Sequence, residues 1–407
     1  MAEKVPDLLI VGGGPAGMMA ALLFARAGVK TLVLEKHGDF LRDFRGDTVH
    51  PSTLELMDEL GMLDEFLQRL HDEIRTLTGR VADEKITIAD LSHLPVKSKF
   101  VAMMPQWDFL DFIADKAKLY PAFALRMNAQ AVDLISEAGR IAGVKLADGS
   151  EIRPRLLTIA ADGRSSILRA KSGLPLRDLG APIDVLWFRL PKGASDFRET
   201  GGTFGSGTFI VQINRGDYWQ CAFVVPKGAA AELERRGVEA FRNDVARAVP
   251  DLADVTGTLE SWDQVKLLSV SLDRLDHWSK PGLLCIGDAA HAMSPIGGVG
   301  VNLAVQDAVA AANILWQPLK AGTLREDDLD RVERRREFPT RVTQRIQVVV
   351  QNNVIDRLLG AGEALAAPWP LRLTSWFAPL RLIPAWLVGK GVRPEHVHAP
   401  DIRAAAR

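Results

Sequence analysis

Cysteine is nearly absent: Cys221 and Cys285 are the only two among 407 residues. With no metal-ligand spacing around them, they exclude a zinc site of the usual kind and a disulfide framework, and nothing points to secretion. Charge of one sign is also missing, since 50 Lys plus Arg face 51 Asp plus Glu and leave a net charge of −1. Without a basic surplus to neutralise a phosphate backbone, nucleic acid is excluded as the main partner. No uncharged apolar run reaches the roughly eighteen residues of a membrane-spanning helix. At the N-terminus, Glu3, Lys4 and Asp7 precede only a short apolar run over 8–11, which is no signal peptide. The cytoplasm is the expected compartment. There is no internal repeat, low-complexity tract, Ser–His–Asp set or EF-hand.

What is present is a globular composition, 47% hydrophobic and 25% charged, and a length that suggests two or three structural units at about 150 residues each. Residues 7–11 read as a buried strand, 12–17 as a turn, 15–27 as a small-residue helix and 31–34 as a second strand. Short helices follow over 52–57 and 63–70. Residues 74–104 alternate like antiparallel strands, 109–117 return to helical spacing, and 123–161 read as strands ending in an apolar run. From about 175 the texture changes. The segments 208–213 and 218–225 flank Asn214-Arg215-Gly216-Asp217, a hairpin signal. Trp219, Cys221 and Phe223 alternate on one face as core or pocket wall, and 229–248 reads as one charged amphipathic helix. After 280 the first texture returns, with a strand over 283–286 and a helix over 301–316. The tail, 325–392, is helical, and Pro339, Pro368, Pro370, Pro379 and Pro384 are expected to break it into pieces.

Three corners carry the chemistry. The first is Gly12-Gly13-Gly14-Pro15-Ala16-Gly17, a G-x-G-x-x-G between strand and helix. Gly12 permits the tight turn, Gly14 lets backbone approach a pyrophosphate, and Gly17 lets helix and strand pack closely. The helix N-terminus then faces the phosphates. Glu35 lies where an acid hydrogen-bonds a ribose diol and repels a 2′-phosphate, so FAD or NAD is expected here rather than NADP. The second corner follows the run 156–161: Asp162-Gly163-Arg164-Ser165-Ser166-Ile167-Leu168-Arg169. The third follows 283–286: Gly287-Asp288-Ala289-Ala290-His291, then Pro295-Ile296-Gly297-Gly298-Val299-Gly300-Val301-Asn302, and Asp307.

These three corners, in this order, resemble the single-component FAD-dependent aromatic hydroxylases of the para-hydroxybenzoate hydroxylase type. The likeness covers about residues 5–175 and 280–320. It implies that Asp162, Gly163, Ser166 and Arg169 serve FAD and the nicotinamide donor. Apart from the likeness, the fixed guanidinium forks of Arg164 and Arg169 suit the donor's phosphates and make the two arginines candidates for helping to hold them. The likeness puts Asp288, after Gly287, on the flavin ribityl chain, and Pro295, Gly298, Gly300 and Asn302 beside the isoalloxazine ring. Arg45 resembles the family's arginine at the FAD ribose and pyrophosphate, and Gln106 a glutamine that touches the cofactor. Gly12, Gly14, Pro15, Ala16, Gly17, Glu35, Lys36 and Val301 complete the expected cofactor-binding set. No side chain is expected to act as nucleophile or base, because the flavin carries the chemistry. Pro295, Gly298 and His50, with Asp47 nearby, are pocket candidates, and His291 is a structural hydrogen-bonder. Apart from the likeness, Gly297, Gly298 and Gly300 leave room for a flat ring, and the helix opened by Val301 and Asn302 turns its N–H groups toward negative charge on the reduced ring.

The expected fold is therefore α/β: a GxGxxG FAD-binding parallel-sheet domain with an inserted mixed or antiparallel substrate sheet and a helical C-terminal tail. The expected divisions are FAD-binding parts at 1–73, 105–175 and 281–322, a strand excursion at 74–104, a substrate domain at 176–280 and a C-terminal helical region at 323–407. The resemblance implies NAD(P)H- and O₂-dependent hydroxylation of an aromatic, lipophilic ring through a flavin C4a-hydroperoxide. Two alternatives stand beside it: a flavin halogenase or isoprenoid reductase, and a non-catalytic FAD protein that sequesters a ligand. Residues 369–390 hold Trp376, Phe377, Ile383 and Trp386, and their only charges are Arg372, Arg381 and Lys390. They read either as a tail packed on the protein's own surface or at a dimer contact, or as a weak peripheral membrane contact. Monomer and homodimer both remain open.

Overall fold

The structure is a computed structural model that describes residues 5–41, 48–81, 84–192, 200–205, 207–355 and 369–403. Arg45 and Asp47 lie outside the described residues. Leu8–Val11 is apolar at every position and fully enclosed, as a strand covered on both faces must be. It pairs in parallel with Thr31–Leu34 and Leu157–Ala160. The six-stranded sheet runs Ser279–Lys280, Leu283–Cys285, Leu157–Ala160, Leu8–Val11, Thr31–Leu34, Phe123–Arg126, with only the first pair antiparallel. The helix Pro15–Arg26 packs between this sheet and the helix Gly300–Ala321, where Ala20, Ala21, Ala308, Ala311 and Ala312 allow close approach. Gly300–Ala321, with the turn before it, is the one stretch among the described residues long and apolar enough to cross a membrane. Most of it is buried in the protein's own core.

A seven-stranded sheet, otherwise antiparallel, joins residues from both sides of the second corner. Its order is Lys266–Ser269, Ile183–Pro191, Tyr218–Pro226, Thr208–Asn214, Gly201–Gly205, Thr76–Val81, Glu84–Asp90, with Gly201–Gly205 and Thr76–Val81 parallel. Side chains alternate across it. Leu186, Phe188, Trp219, Cys221 and Phe223 pack against Phe241 and Val245 of the helix Val238–Ala248. Trp219, Cys221 and Phe223 are thus core.

Two helix expectations need correction. The single helix over 229–248 is two, Ala230–Arg236 and Val238–Ala248, because Gly237 sits at φ +85, where an L side chain is strained. Pro339, in contrast, does not end its helix, which runs from Glu326 to Val350. A proline removes one backbone donor, and here packing against Gly300–Ala321 holds the helix together.

Candidate functional site

At the first corner, a Cβ on Gly12 would collide with Ala161 O and one on Gly17 with Gly12 O. Packing therefore requires both glycines. A Cβ on Gly14 would meet nothing within 4 Å, so the backbone is open beside the N-terminus of Pro15–Arg26. Glu35 is buried and accepts from Gly13 N–H at 2.8 Å and His37 N–H at 3.0 Å. Lys36 is exposed beside it.

At the second corner, Asp162 accepts from Leu168 N–H at 3.2 Å and from Ser166 Oγ, while Ser166 Oγ accepts from Arg169 N–H at 2.9 Å. The two side chains cap the helix Ile167–Ser172. Burial pushes the Asp162 carboxyl above the usual carboxylate range, against the pull of these hydrogen bonds. Gly163 (φ +88) has open space on its Cβ side.

At the third corner, Asp307 sits fully buried on the helix Gly300–Ala321. It accepts from Gly287 N–H at 3.0 Å, from Arg336 Nε at 2.9 Å and pairs with His291 Nε2 at 2.6 Å. Burial alone would raise this carboxyl, but His291 and Arg336 hold it below the usual range. Asp288 is partly exposed, with Arg164 Nη2 at 3.6 Å. Pro295 leads the turn Ile296–Gly298, and a Cβ on Gly297 or Gly300 would have ordinary contacts or none closer than 3.7 Å. Gly298 differs: its Cβ would lie 2.5 Å from Thr48 Oγ1, which donates to Gly298 O at 2.9 Å. Only Gly297 and Gly300 keep the open side expected of all three. Asn302 Oδ1 accepts from Thr53 Oγ1 at 2.6 Å and His50 N–H at 3.1 Å, while Asn302 Nδ2 has no acceptor among the described residues. His50 does not line an open pocket. It is buried, its Nδ1 lies 2.7 Å from Val388 O, and burial pushes its imidazole down to about 4. Gln106 opens the helix Gln106–Lys118 at intermediate exposure.

Ile296, at the tip of the third corner, packs against the second face of the seven-stranded sheet, formed by Val185, Trp187, Val211, Ala222 and Val224. The FAD binding domain family matches residues 6–346, across all three corners. The chain belongs to this FAD-binding family. Its relatives include 6-methylpretetramide 4-monooxygenase of Streptomyces rimosus, 32% identical over 371 residues, 89% of this chain and 87% of that protein. Rifampicin monooxygenase of Rhodococcus hoagii is 27% identical over 324 residues, 76% of this chain and 63% of the relative's longer sequence. The PqsL structure from Pseudomonas aeruginosa superposes with a TM-score of 0.74 at 21% identity, covering 87% of this chain and 98% of that one. The protein is an FAD-dependent monooxygenase of the aromatic hydroxylase class.

The residues present fit FAD. Gly14 leaves the backbone open, Asp288 keeps a partly exposed carboxylate, and Asn302 Nδ2 supplies an unmatched donor at the start of the Gly300–Ala321 helix. One expected role needs correction. The Arg169 guanidinium is not presented to a ligand: it donates to Asp288 O at 3.2 Å, Ala289 O at 3.4 Å and Arg164 O, and pairs with Asp273 at 3.4 Å. It clamps the second corner to the third. Arg164, less enclosed and with Nη1 lacking a partner among the described residues, keeps the capacity expected of it.

Sequence reasoning missed a buried polar stripe: Arg336, Thr340, Gln344, Gln347 and Gln351. Gln347 accepts from Ser294 N–H at 3.1 Å and donates to Ser294 O at 2.9 Å and Ile296 O at 3.0 Å, holding the ring-side turn. Gln344 donates to Asp273 O and Ala292 O. The signal was the spacing of three or four residues, which puts all five on one helix face.

Proposed function

We propose that this chain uses NAD(P)H and O₂ to hydroxylate a large, electron-rich aromatic ring, in the class of the polycyclic substrates named for its relatives. The observation that carries this reading is the apolar face of Val185, Trp187, Val211, Ala222 and Val224 opposite Ile296. It would lay a flat hydrophobic substrate against the ring-side turn. The strand-rich 176–280 segment, with the 74–104 excursion, is then the substrate side, and the parts at 1–73, 105–175 and 281–322 hold the cofactor.

Bound FAD would supply hydride acceptance from the donor and activation of O₂ for transfer of one oxygen atom to the ring. The chain's own residues bind and orient. Gly12, Gly14, Pro15, Ala16 and Gly17 cradle the pyrophosphate at a helix N-terminus, and Glu35 and Lys36 flank the adenosine ribose. Gln106 contributes a further polar contact, and Arg164 attracts the donor's phosphates. Asp288 holds the ribityl chain, while Val301 and Asn302 turn N–H groups toward the edge where reduction places negative charge. The apolar sheet face excludes water from the reacting ring. Steady-state NAD(P)H oxidation in the presence of polycyclic phenols, with mass analysis of the product, tests the reading. Stimulated oxidation with a product heavier by one oxygen is expected. Ligand binding without any stimulated oxidation would instead make the chain a sequestering protein.

A further inference from the structure

Among the described residues, the largest run of exposed apolar side chains lies in the C-terminal region. Trp376, Phe377, Leu380, Leu382, Ile383 and Trp386 are all exposed, Trp376 to 69% and Ile383 to 62%. Single exposed hydrophobics need no account, but a contiguous set does. The scaffold beneath them is fixed: Ala385 is buried against Leu91, Leu94 and Ile213, and Thr374 Oγ1 donates to Thr87 O at 3.0 Å. The apolar stretch Ala378–Gly389 is far shorter than a spanning helix, and its length suits one lying along an interface.

The charges choose the occupant. Within 369–390 they are Arg372, Arg381 and Lys390, all basic. Arg372 is balanced by Glu84 at 3.4 Å, Arg381 Nε donates to Thr374 O at 2.7 Å, and Lys390 lies over the Trp386 ring at 5.2 Å with Glu55 nearby. Indoles beside basic groups match the headgroup layer of an anionic bilayer. A two-fold dimer through the same face would bury these indoles against a second copy instead, and the test below reads that outcome. We propose that this face docks the protein on anionic lipid bilayers, with Trp376, Phe377, Ile383 and Trp386 at headgroup depth. The cluster around Ala385 shares Trp187 and Val211 with the sheet face opposite Ile296, so docking would bring that face near lipid and admit lipophilic rings. This last clause alone rests on the hydroxylase reading.

The test is co-sedimentation of the FAD-loaded, full-length protein at low salt. One arm uses phosphatidylcholine–phosphatidylglycerol vesicles and the other phosphatidylcholine alone. Wild type should pellet with the mixed vesicles, more weakly with the neutral ones, and Trp376→Ser plus Trp386→Ser should lower partitioning by about tenfold or more. Flavin absorbance should be equal in both proteins, which shows that the variant is folded. Wild type left in the supernatant, or unchanged binding by the variant, would overturn the proposal. So would a dimer in sedimentation velocity that the double substitution breaks, since a second copy would then own the face. Because turnover is not read, a failed hydroxylase reading leaves this result standing.

Discussion

Arg169 pairs with Asp273 at a position where its side chain is only 10% exposed and that of Asp273 9%. Removing one member of a buried pair strands the other, at a cost of about 3–5 kcal/mol. Arg169→Met should therefore lower the urea midpoint strongly while leaving the donor KM of the surviving folded enzyme unchanged. A weakened donor KM with native stability would return this arginine to the donor's phosphates. Asp288 is the contrasting case, since its carboxylate is partly open and holds only a long ion pair. Asp288→Ala should weaken FAD binding in a fluorescence titration by about ten- to a hundredfold, the range of a charged hydrogen bond worth roughly 1.5–3 kcal/mol. Unchanged affinity would remove Asp288 from the ribityl chain. His50 adds a pH signature. Burial holds its imidazole at about 4, against 6.5 for a solvated histidine, so the unfolded chain binds a proton that the folded chain refuses. Its contribution is fully present above about pH 6.5 and is lost as pH falls toward 4, roughly 3 kcal/mol in all. His50→Gln should flatten this part of the stability–pH curve, and an unaltered slope would show that other groups govern it.

The helix Glu326–Val350 shows why some of the site was legible in the sequence and some was not. The glycine corners were legible because their requirements are local: a turn at Gly12, a close crossing at Gly17 and an acid after the next strand depend on neighbours a few positions away. The stripe from Arg336 to Gln351 depends on Asp307, Asp273 and Ser294, which reach it only through the fold, so nothing local singles its glutamines out. The same limit misplaced Arg169, whose motif position was plain but whose guanidinium direction is set by the Asp288–Ala289 turn. Pro339 misled for a related reason, because propensity weighs a missing N–H and not the helix packed alongside. Gln347→Leu tests the element directly. It leaves Ser294 N–H, Ser294 O and Ile296 O without their side-chain partner, and buried unmatched groups cost about 1–3 kcal/mol each. Faster FAD release and a lower melting temperature are expected. Release at the wild-type rate would mean that the turn holds itself.

Across the whole molecule, the C-terminal segment ties back onto the helices Pro15–Arg26 and Gly300–Ala321. Ile402 N–H donates to Arg26 O at 3.0 Å, Arg26 Nη1 donates to Ala399 O at 2.7 Å, and Asn313 bonds His396, His398 and Ala399. Glu395, almost fully buried, accepts from Arg335 Nε at 2.7 Å and Arg336 Nη1 at 3.3 Å. Arg336 in turn holds Asp307, and Asp307 holds Gly287 N–H, so a charged chain runs from the tail to the third corner. Truncation after Val392 would leave Arg336 with one carboxylate instead of two, without altering any residue of the three corners. It should cost at least the roughly 3–5 kcal/mol of a broken buried pair. Glu395→Gln keeps the shape and removes only the charge, so its loss should be smaller, about 1–3 kcal/mol. Urea unfolding with and without saturating FAD separates the two consequences, because a ligand stabilises the fold by RT ln(1 + [L]/Kd). Both variants should show a lower midpoint without FAD and a smaller rise on adding it. If the truncated chain keeps the wild-type midpoint and the full FAD increment, the tail is a passive cover and the charged chain does not reach the cofactor.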